Sequence, residues 1–364
     1  MTAPSPRPEY RLPAMAAYLG GGLTAAAAVG AGVLFGQAVL ARWTIPGAEA
    51  PPPRCGGEYG TELGPGPPLR VTVLGDSTAA GYGVHTRAET PGALLASWIS
   101  GAARRPVRLV CPAVVGSVSA WLPAQVERAL ETGVDLAIIF IGANDVTTRV
   151  SESAAVRHLY EAVQTLRDAG AEVVVATCPD LGAIQPIKPP LRWAARYWSR
   201  QLAAAQTVAA VRAGARTVSL GHLLGRQFAA APDRFFGADR YHPSAEGYRL
   251  AASVVLPSAL AALGLGPERA EPVGDRPSLP DAAAAAAANP GTEVRPSDVD
   301  QARAPEPRRS LAARFGQARD RLRGRIRELT RRSIRQVAAE RVRLAVPSGA
   351  RVASPTVVAP SAAD

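Results

Sequence analysis

Cysteine, lysine and aromatic residues are scarce in this sequence of 364 residues. The three cysteines, Cys55, Cys111 and Cys178, are too few and too scattered for a disulfide framework or a zinc site, and they allow one bridge at most. Lys188 is the sole lysine, so the basic residues are almost all arginine. Aromatic residues make up 5% of the chain, whereas hydrophobic residues as a whole make up 47%. This composition predicts a globular core built mainly from Ala, Val and Leu.

Excess positive charge is absent from most of the chain. The formal net charge is +11, but residues 303–351 contain fifteen Arg, three Glu and one Asp, which accounts for the whole surplus. The rest of the sequence is close to neutral, so the net charge of the chain says nothing about the main domain, and only the tail favours an anionic partner. We therefore predict no specific nucleic-acid partner.

Residues 308–345 combine this arginine surplus with apolar residues at helical spacing. The apolar positions are separated by three, four or sums of the two: Leu311, Phe315, Leu322, Ile326 and Leu329. That spacing predicts an amphipathic helix. It is either a solvated charged tail or a helix that binds anionic lipid or another polyanion. The flanking stretches, 267–307 and 346–364, lack a core-forming pattern and are predicted to be disordered.

Charged residues are also absent from residues 14–41, which follow a short N-terminal tail at 1–13. This apolar run of 28 residues is long enough to span about 30 Å of hydrocarbon, and it exceeds the roughly 7–15 residues of a signal-peptide core. It predicts a transmembrane anchor with the main domain on the extracytoplasmic side. The alternative is a cleaved signal peptide and a secreted protein. Residues 42–68 are rich in Pro and Gly and predict an extended or disordered linker.

Residues 69–266 alternate between short apolar runs and longer helical patterns. The apolar runs predict five strands buried on both faces, at 70–75, 107–115, 135–142, 172–178 and 216–221. The helical patterns occupy 90–102, 119–132, 152–169, 191–213 and 244–262. This alternation predicts an α/β fold, with a parallel sheet between two helical layers. With the strand order 2-1-3-4-5, Cys111 and Cys178 would lie about 14 Å apart, too far for a disulfide.

Small and polar residues occur where the predicted strands end. Ser77 follows the first strand, Gly116 the second and Asn144 the third. Far downstream, Asp239 precedes His242 by three residues, just before the last helix. Functional groups of a parallel sheet gather at the carboxyl ends of its strands. We therefore expect these five residues to meet at one edge.

These residue types are the parts of an acyl-transfer site. A serine hydroxyl is not nucleophilic at neutral pH, so an imidazole must take its proton, and a carboxylate must orient that imidazole. Ser77, His242 and Asp239 can fill these roles. The backbone N–H groups of Ser77 and Gly116, with the Asn144 amide, can stabilise the oxyanion. No cluster of His, Cys and carboxylates has metal-ligand spacing, so we expect neither a metal nor a cofactor.

Four blocks occur in order: Gly-Asp-Ser, the central glycine, Gly-Ala-Asn-Asp and Asp-Arg-Tyr-His. Together they resemble the SGNH, or GDSL-type, serine hydrolase superfamily over roughly residues 70–262. The resemblance implies a flavodoxin-like sheet. It also implies that Ser77 is the nucleophile and that Gly116 and Asn144 donate hydrogen bonds to the oxyanion. Asp239 and His242 would together act as the catalytic base. The sequence departs from the GDSL motif only at its fourth position, Thr78, and it is also similar to exported or membrane-tethered members from actinobacteria.

The segment after the fourth predicted strand is long, rich in proline and apolar, and it emerges at the same sheet edge. We expect Ile184 and Ile187 to line an acyl pocket together with Leu191 and Trp193. The alternative is that these side chains pack the following helix onto the sheet, an alternative that applies above all to Leu191 and Trp193.

Three functions remain open from the sequence. The first is a serine esterase or lipase that hydrolyses carboxylic esters through an acyl-enzyme intermediate. The second is an esterase or transferase that acts on acyl groups of a cell-envelope polysaccharide. The third is a membrane-tethered binding protein whose catalytic site is vestigial and whose Arg-rich tail carries the function.

Overall fold

The computed structural model describes residues 30, 32–34, 36–37, 50–64, 66–184, 186–221, 228, 230–266, 276–289 and 291–302. All of them lie in the first of two compact units of the chain, Met1–Pro305. The amphipathic helix predicted at 308–345 and the terminus at 346–364 lie outside the described residues. So do residues 1–13 and most of the anchor predicted at 14–41, which stays a prediction. Among the described residues, no helix is both long enough and apolar enough to cross a membrane.

Seven strands form one mixed sheet in the described part of the chain. They are β1 (Gly57–Tyr59), β2 (Leu69–Gly75), β3 (Val107–Val110), β4 (Leu136–Phe140), β5 (Glu172–Ala176), β6 (Arg216–Val218) and β7 (Glu293–Val294). Their spatial order is β1-β3-β2-β4-β5-β6-β7. The five central strands are parallel, whereas β1 and β7 are antiparallel to their neighbours. The predicted order of the five parallel strands is confirmed.

The two edge strands correct the predicted five-stranded parallel sheet. β1 lies within 42–68, predicted as an extended or disordered linker, and β7 lies within 267–307, predicted as disordered. Both are two or three residues long, too short for a recognisable apolar alternation. They form because β3 and β6 offer unpaired backbone groups at the sheet edges. The folded domain therefore extends beyond its predicted limits of 69–266.

Helices cover both faces of the sheet. Those whose bounds the structure describes are α1 (Ser77–Ala80), α2 (Pro91–Ala103), α3 (Leu122–Leu130), α4 (Ala143–Thr147), α5 (Glu152–Asp168), α6 (Leu191–Arg212), α7 (Pro232–Phe235), α8 (Ala245–Ala262) and α9 (Leu279–Ala288). Helices α2 and α8 pack on the face that includes Val71 and Val73 of β2. Helices α3 and α5 pack on the opposite face, which includes Leu74 and Ile139. The predicted α/β fold follows from strands that are apolar on both faces.

Candidate active site

Ser77 stands directly after β2, at the first position of α1. Gly75 ends the strand with φ +136°, and a Cβ at this position would overlap the carbonyl oxygen of Phe140 in β4. Only glycine fits there. Asp76 then caps α1, because its carboxylate accepts a hydrogen bond from the Thr78 N–H at 2.9 Å. The sharp turn places Ser77 at the carboxyl edge of the sheet.

His242 connects Ser77 with Asp239, although Ser77 and His242 are separated by 165 positions in the sequence. The Nε2 of His242 lies 3.0 Å from the Oγ of Ser77, and its Nδ1 lies 2.6 Å from the Oδ2 of Asp239. The His242 side chain is 13% exposed and that of Asp239 is 3% exposed. The three predicted residues are therefore within hydrogen-bond reach, in the order that nucleophilic catalysis requires.

The Asp239 carboxylate is stabilised in its ionised form. Its Oδ1 accepts hydrogen bonds from the N–H groups of Tyr241 and His242, both at 2.9 Å, while its Oδ2 faces the imidazole. Burial alone would raise the pKa of Asp239, but these hydrogen bonds outweigh burial and hold the pKa below its usual value. A carboxylate at this position favours the tautomer with the proton on Nδ1, which leaves Nε2 able to accept the Ser77 proton.

Two tyrosine rings flank the imidazole, and the sequence analysis missed both. The ring centroids of Tyr82 and Tyr241 lie 4.7 and 4.8 Å from that of His242, in edge-on arrangements. The carbonyl of Tyr82 accepts a hydrogen bond from the hydroxyl of Tyr248, which is fully buried in α8. The rings therefore restrict the orientation of His242. The only sequence signal for Tyr82 was its position between two glycines, shortly after Ser77.

Gly116 follows β3 and Asn144 follows β4, the two strands on either side of β2. The Asn144 Nδ2 donates a hydrogen bond to the carbonyl of Ser117 at 3.0 Å, so this amide lies beside the loop of Gly116. Gly116 is exposed, has φ +84°, and has open space where a Cβ would be. Asn144 falls at this edge because α4 begins soon after β4, with Gly142 at φ +131° as the residue before its first turn. The structure thus brings both predicted oxyanion donors to the carboxyl edge of the sheet.

Gln125, which the sequence analysis missed, is buried and stabilises the carboxyl edge of the sheet. Its Oε1 accepts a hydrogen bond from the N–H of Gly75 at 2.7 Å, and its Nε2 donates to the carbonyl of Gly75 at 2.9 Å. The Nε2 also donates to the Ser117 Oγ at 3.3 Å. Gln125 therefore joins the end of β2 to the loop of Gly116. A polar residue within the predicted helix at 119–132 was its only sequence signal.

We expect Gln125→Leu to lower the free energy of unfolding by about 2–5 kcal/mol. The buried N–H of Gly75 and the buried Oγ of Ser117 would lose their partners, at about 1–3 kcal/mol each, whereas the carbonyl of Gly75 keeps a hydrogen bond from the N–H of Val114. Urea unfolding followed by circular dichroism measures the change. Gln164→Leu is the matched control, because Gln164 is exposed on α5, and it should change stability by less than about 0.5 kcal/mol. Equal stability of the two variants would contradict the supporting role.

Asp76 is almost completely buried beside Ser77. Burial raises the pKa of its carboxyl to about 7, although the hydrogen bond from Thr78 opposes this shift. In the unfolded chain the same carboxyl ionises near pH 4. Between about pH 4 and 7 the folded state therefore retains a proton that the unfolded state has lost. The contribution of Asp76 to the free energy of unfolding therefore decreases as the pH rises through this range.

Asp76→Asn should consequently gain stability over the wild type as the pH rises from about 5 to 8, by about 2–3 kcal/mol. Asparagine stays neutral throughout and can still cap α1. Urea unfolding of both proteins at several pH values gives the difference, and every other titrating group is common to the two chains. A difference that stays constant with pH would show that Asp76 does not titrate in this range.

The apolar segment after β5 forms a buried cluster near the site. Its buried members are Leu181, Ile184, Ile187, Leu191 and Ala195. Tyr241, the residue before His242, packs against the same cluster. The Trp193 side chain is 65% exposed, so it does not pack α6 onto the sheet. Ile184 and Ile187 are thus close to the site, and their contact with substrate stays a prediction.

Comparison with known proteins identifies a matching family and several similar proteins. The sequence model of the GDSL-like lipase/acylhydrolase family matches residues 73–250, which include all five candidate site residues. A GDSL-like esterase of Mycobacterium tuberculosis is 39% identical over 290 residues, which cover 77% of this chain and 90% of that protein. Among solved structures, an acetyl xylan esterase from Geobacillus stearothermophilus is 16% identical, with a TM-score of 0.42, over 56% of this chain and 97% of that one. TesA is 22% identical, with a TM-score of 0.40, over 54% of this chain and 99% of that one.

Proposed function

The chain belongs to the GDSL-like lipase/acylhydrolase family, and from this premise we propose that it hydrolyses carboxylic esters with Ser77, His242 and Asp239 as a catalytic triad. The observation that carries the proposal is the position of the His242 ring. One ring nitrogen lies 3.0 Å from the Ser77 hydroxyl and the other 2.6 Å from the Asp239 carboxylate. This is the arrangement that activates a serine by proton transfer.

The first half-reaction acylates Ser77. The Oγ attacks the ester carbonyl carbon while Nε2 of His242 takes its proton, and the carbonyl electrons move to the oxygen. Asp239 stabilises the resulting imidazolium. The N–H groups of Ser77 and Gly116 and the amide of Asn144 stabilise the oxyanion. When the tetrahedral intermediate collapses, the alcohol leaves with the proton from His242, and the acyl group remains on Ser77.

The second half-reaction returns the serine to its free form. A water molecule attacks the acyl carbonyl and gives its proton to His242, and the same donors stabilise the second oxyanion. Collapse releases the carboxylic acid, and the proton returns from His242 to the Oγ of Ser77. No metal or redox group takes part in either step of this proposal.

Exposed apolar side chains in the loop of Gly116 and in the turn after it favour esters with an apolar acyl or alcohol part. Val114 and Val115, directly before Gly116, are 37% and 41% exposed, and Trp121 in the following turn is 58% exposed. Burial of such side chains against a substrate would be favourable. We therefore place lipid-like esters ahead of acylated polysaccharides. With the anchor predicted at 14–41, the protein would act at a membrane, on its extracytoplasmic side.

A panel of p-nitrophenyl esters, from acetyl to dodecanoyl, tests this function with the full chain. We expect saturable hydrolysis, with kcat/KM rising from the acetyl ester to a chain of intermediate length. A preference for the acetyl ester and for acetylated xylan would favour the polysaccharide alternative instead. Folded protein with no turnover above the buffer rate would contradict both and favour the binding protein with a vestigial site.

A further inference from the structure

Cys55 and Cys111 lie at the same edge of the sheet, outside the proposed active site. β1 and β3 pair antiparallel, with Gly57 opposite Leu109. Continuing this register by two residues places Cys55 opposite Cys111. Directly opposed residues in an antiparallel pair have Cα atoms about 4.5–5.5 Å apart, within the range of about 4.4–6.8 Å that disulfides span. The pairing therefore brings the two cysteines to bonding distance through backbone geometry alone.

The surroundings of the two thiols agree with this register. Hydrogen bonding with the Cys111 side chain lowers the pKa of the Cys55 thiol, and the same interaction, together with burial, raises the pKa of the Cys111 thiol. Cys55 is buried, and a Cβ on Gly92 of α2 would meet its Sγ at 3.3 Å. The Cys111 thiol is partly buried and donates to the carbonyl of Ala79 in α1 at 3.7 Å. Both thiols are thus packed between the sheet edge and the helices above it.

We propose that Cys55 and Cys111 form a disulfide that fastens the segment preceding the domain to the sheet, next to the helix that begins with Ser77. Cys178 takes no part, because it follows β5, and β2 and β4 lie between β5 and β3. β1 is only three residues long, and hydrogen bonds alone hold so short an edge strand weakly. The bond would also close the long loop between the two cysteines, which restricts the unfolded chain.

Formation of the bond requires an oxidant, which we assign to the class of disulfides, either a small molecule such as oxidised glutathione or the active-site disulfide of an oxidoreductase. One protein thiolate attacks a sulfur of the oxidant and releases its first thiol. The second protein thiolate then attacks the mixed disulfide, closes the bond between Cys55 and Cys111, and releases the second thiol. Two electrons and two protons pass from the chain to the oxidant, so the step balances.

The test is a peptide map of the full chain after incubation with oxidised glutathione. The sample is quenched in acid, denatured, alkylated without reductant and digested. We expect one cross-linked peptide that joins Cys55 to Cys111, with Cys178 alkylated. Cys178→Ser, the matched control, should form the same bond. In Cys55→Ser and Cys111→Ser no cross-linked peptide should form, because the remaining edge thiol has no partner, and that thiol should be alkylated or retain glutathione.

Thermal unfolding provides a second readout. The oxidised wild type and oxidised Cys178→Ser should melt about 5–10 °C above their reduced forms, whereas Cys55→Ser and Cys111→Ser should show no such difference. In the wild type, three alkylated cysteines, a bridge to Cys178, or glutathione retained on either edge cysteine would overturn the proposal. So would a bond that leaves the melting temperature unchanged. The wild-type map and melting curve decide the matter even where a variant fails to fold.

Discussion

Ser77→Ala should lower kcat for ester hydrolysis by about 10⁶-fold while the fold stays intact. The substitution removes the Oγ that lies 3.0 Å from the Nε2 of His242, and with it the group that our proposal assigns to the acyl-enzyme. Loss of the nucleophile from a triad has an effect of this size, because the other members cannot act without it. Alanine suits the first position of α1 and leaves the backbone of the turn unchanged.

The measurement is kcat for the best ester of the panel, with circular dichroism to verify folding. Ser153→Ala is the matched control, because Ser153 is exposed on α5, and it should keep the wild-type rate. If folded Ser77→Ala retained more than about a hundredth of the wild-type kcat, the hydroxyl could not be the nucleophile, since a triad serine contributes far more.

Asp239→Asn should lower kcat by about 10⁴-fold. The asparagine oxygen can still accept hydrogen bonds from the N–H groups of Tyr241 and His242, so the loop that contains these residues keeps its shape. Its amide nitrogen, however, would face the Nδ1 of His242 and donate a hydrogen bond to it. The imidazole would then carry its proton on Nε2 and could not accept the proton of Ser77. The loss follows from the tautomer rather than from a change of position.

Steady-state kinetics of Asp239→Asn should show this loss in kcat with a much smaller change in KM, because the carboxylate is buried behind the imidazole. Asp233→Asn makes the matched control. Asp233 has a side chain that is 87% exposed and pairs with Arg240 at 3.7 Å, so its substitution should leave kcat unchanged. Equal activity of the two variants would remove Asp239 from the mechanism.

The candidate site could be predicted because its residues stand at positions that the backbone fixes. Gly75 and Gly142 adopt conformations that favour glycine, and each turns the chain at the carboxyl end of a central strand. The strands themselves are apolar on both faces, so their ends are visible in the sequence. The alternation predicts parallel strands, whose carboxyl ends share one edge, so Ser77, Gly116 and Asn144 could be placed at that edge. His242 could be placed only by its motif, since no strand precedes it directly.

The supporting residues and the sheet edges could not be predicted for a different reason. Gln125 acts through tertiary hydrogen bonds to Gly75 that no periodicity reveals. The alanine-rich run at 281–288 resembles a low-complexity linker, yet α9 buries Leu279 and Ala286 in a cluster with Val211 of α6. The small side chains of alanine allow this close packing. Because nearly every position of the run is alanine, the sequence shows no apolar stripe from which the helix could be predicted. The helix, and β7 after it, form only because the rest of the domain is present.

Intact-mass analysis of the full chain with a fluorophosphonate probe tests the central claim, that His242 activates Ser77. The wild type should gain the mass of one adduct. Asp239→Asn should react far more slowly under the same conditions, and Ser77→Ala should not react at all. A folded wild-type chain without an adduct would show that Ser77 is not activated. An adduct that persists in Ser77→Ala would place the reactive group elsewhere in the chain.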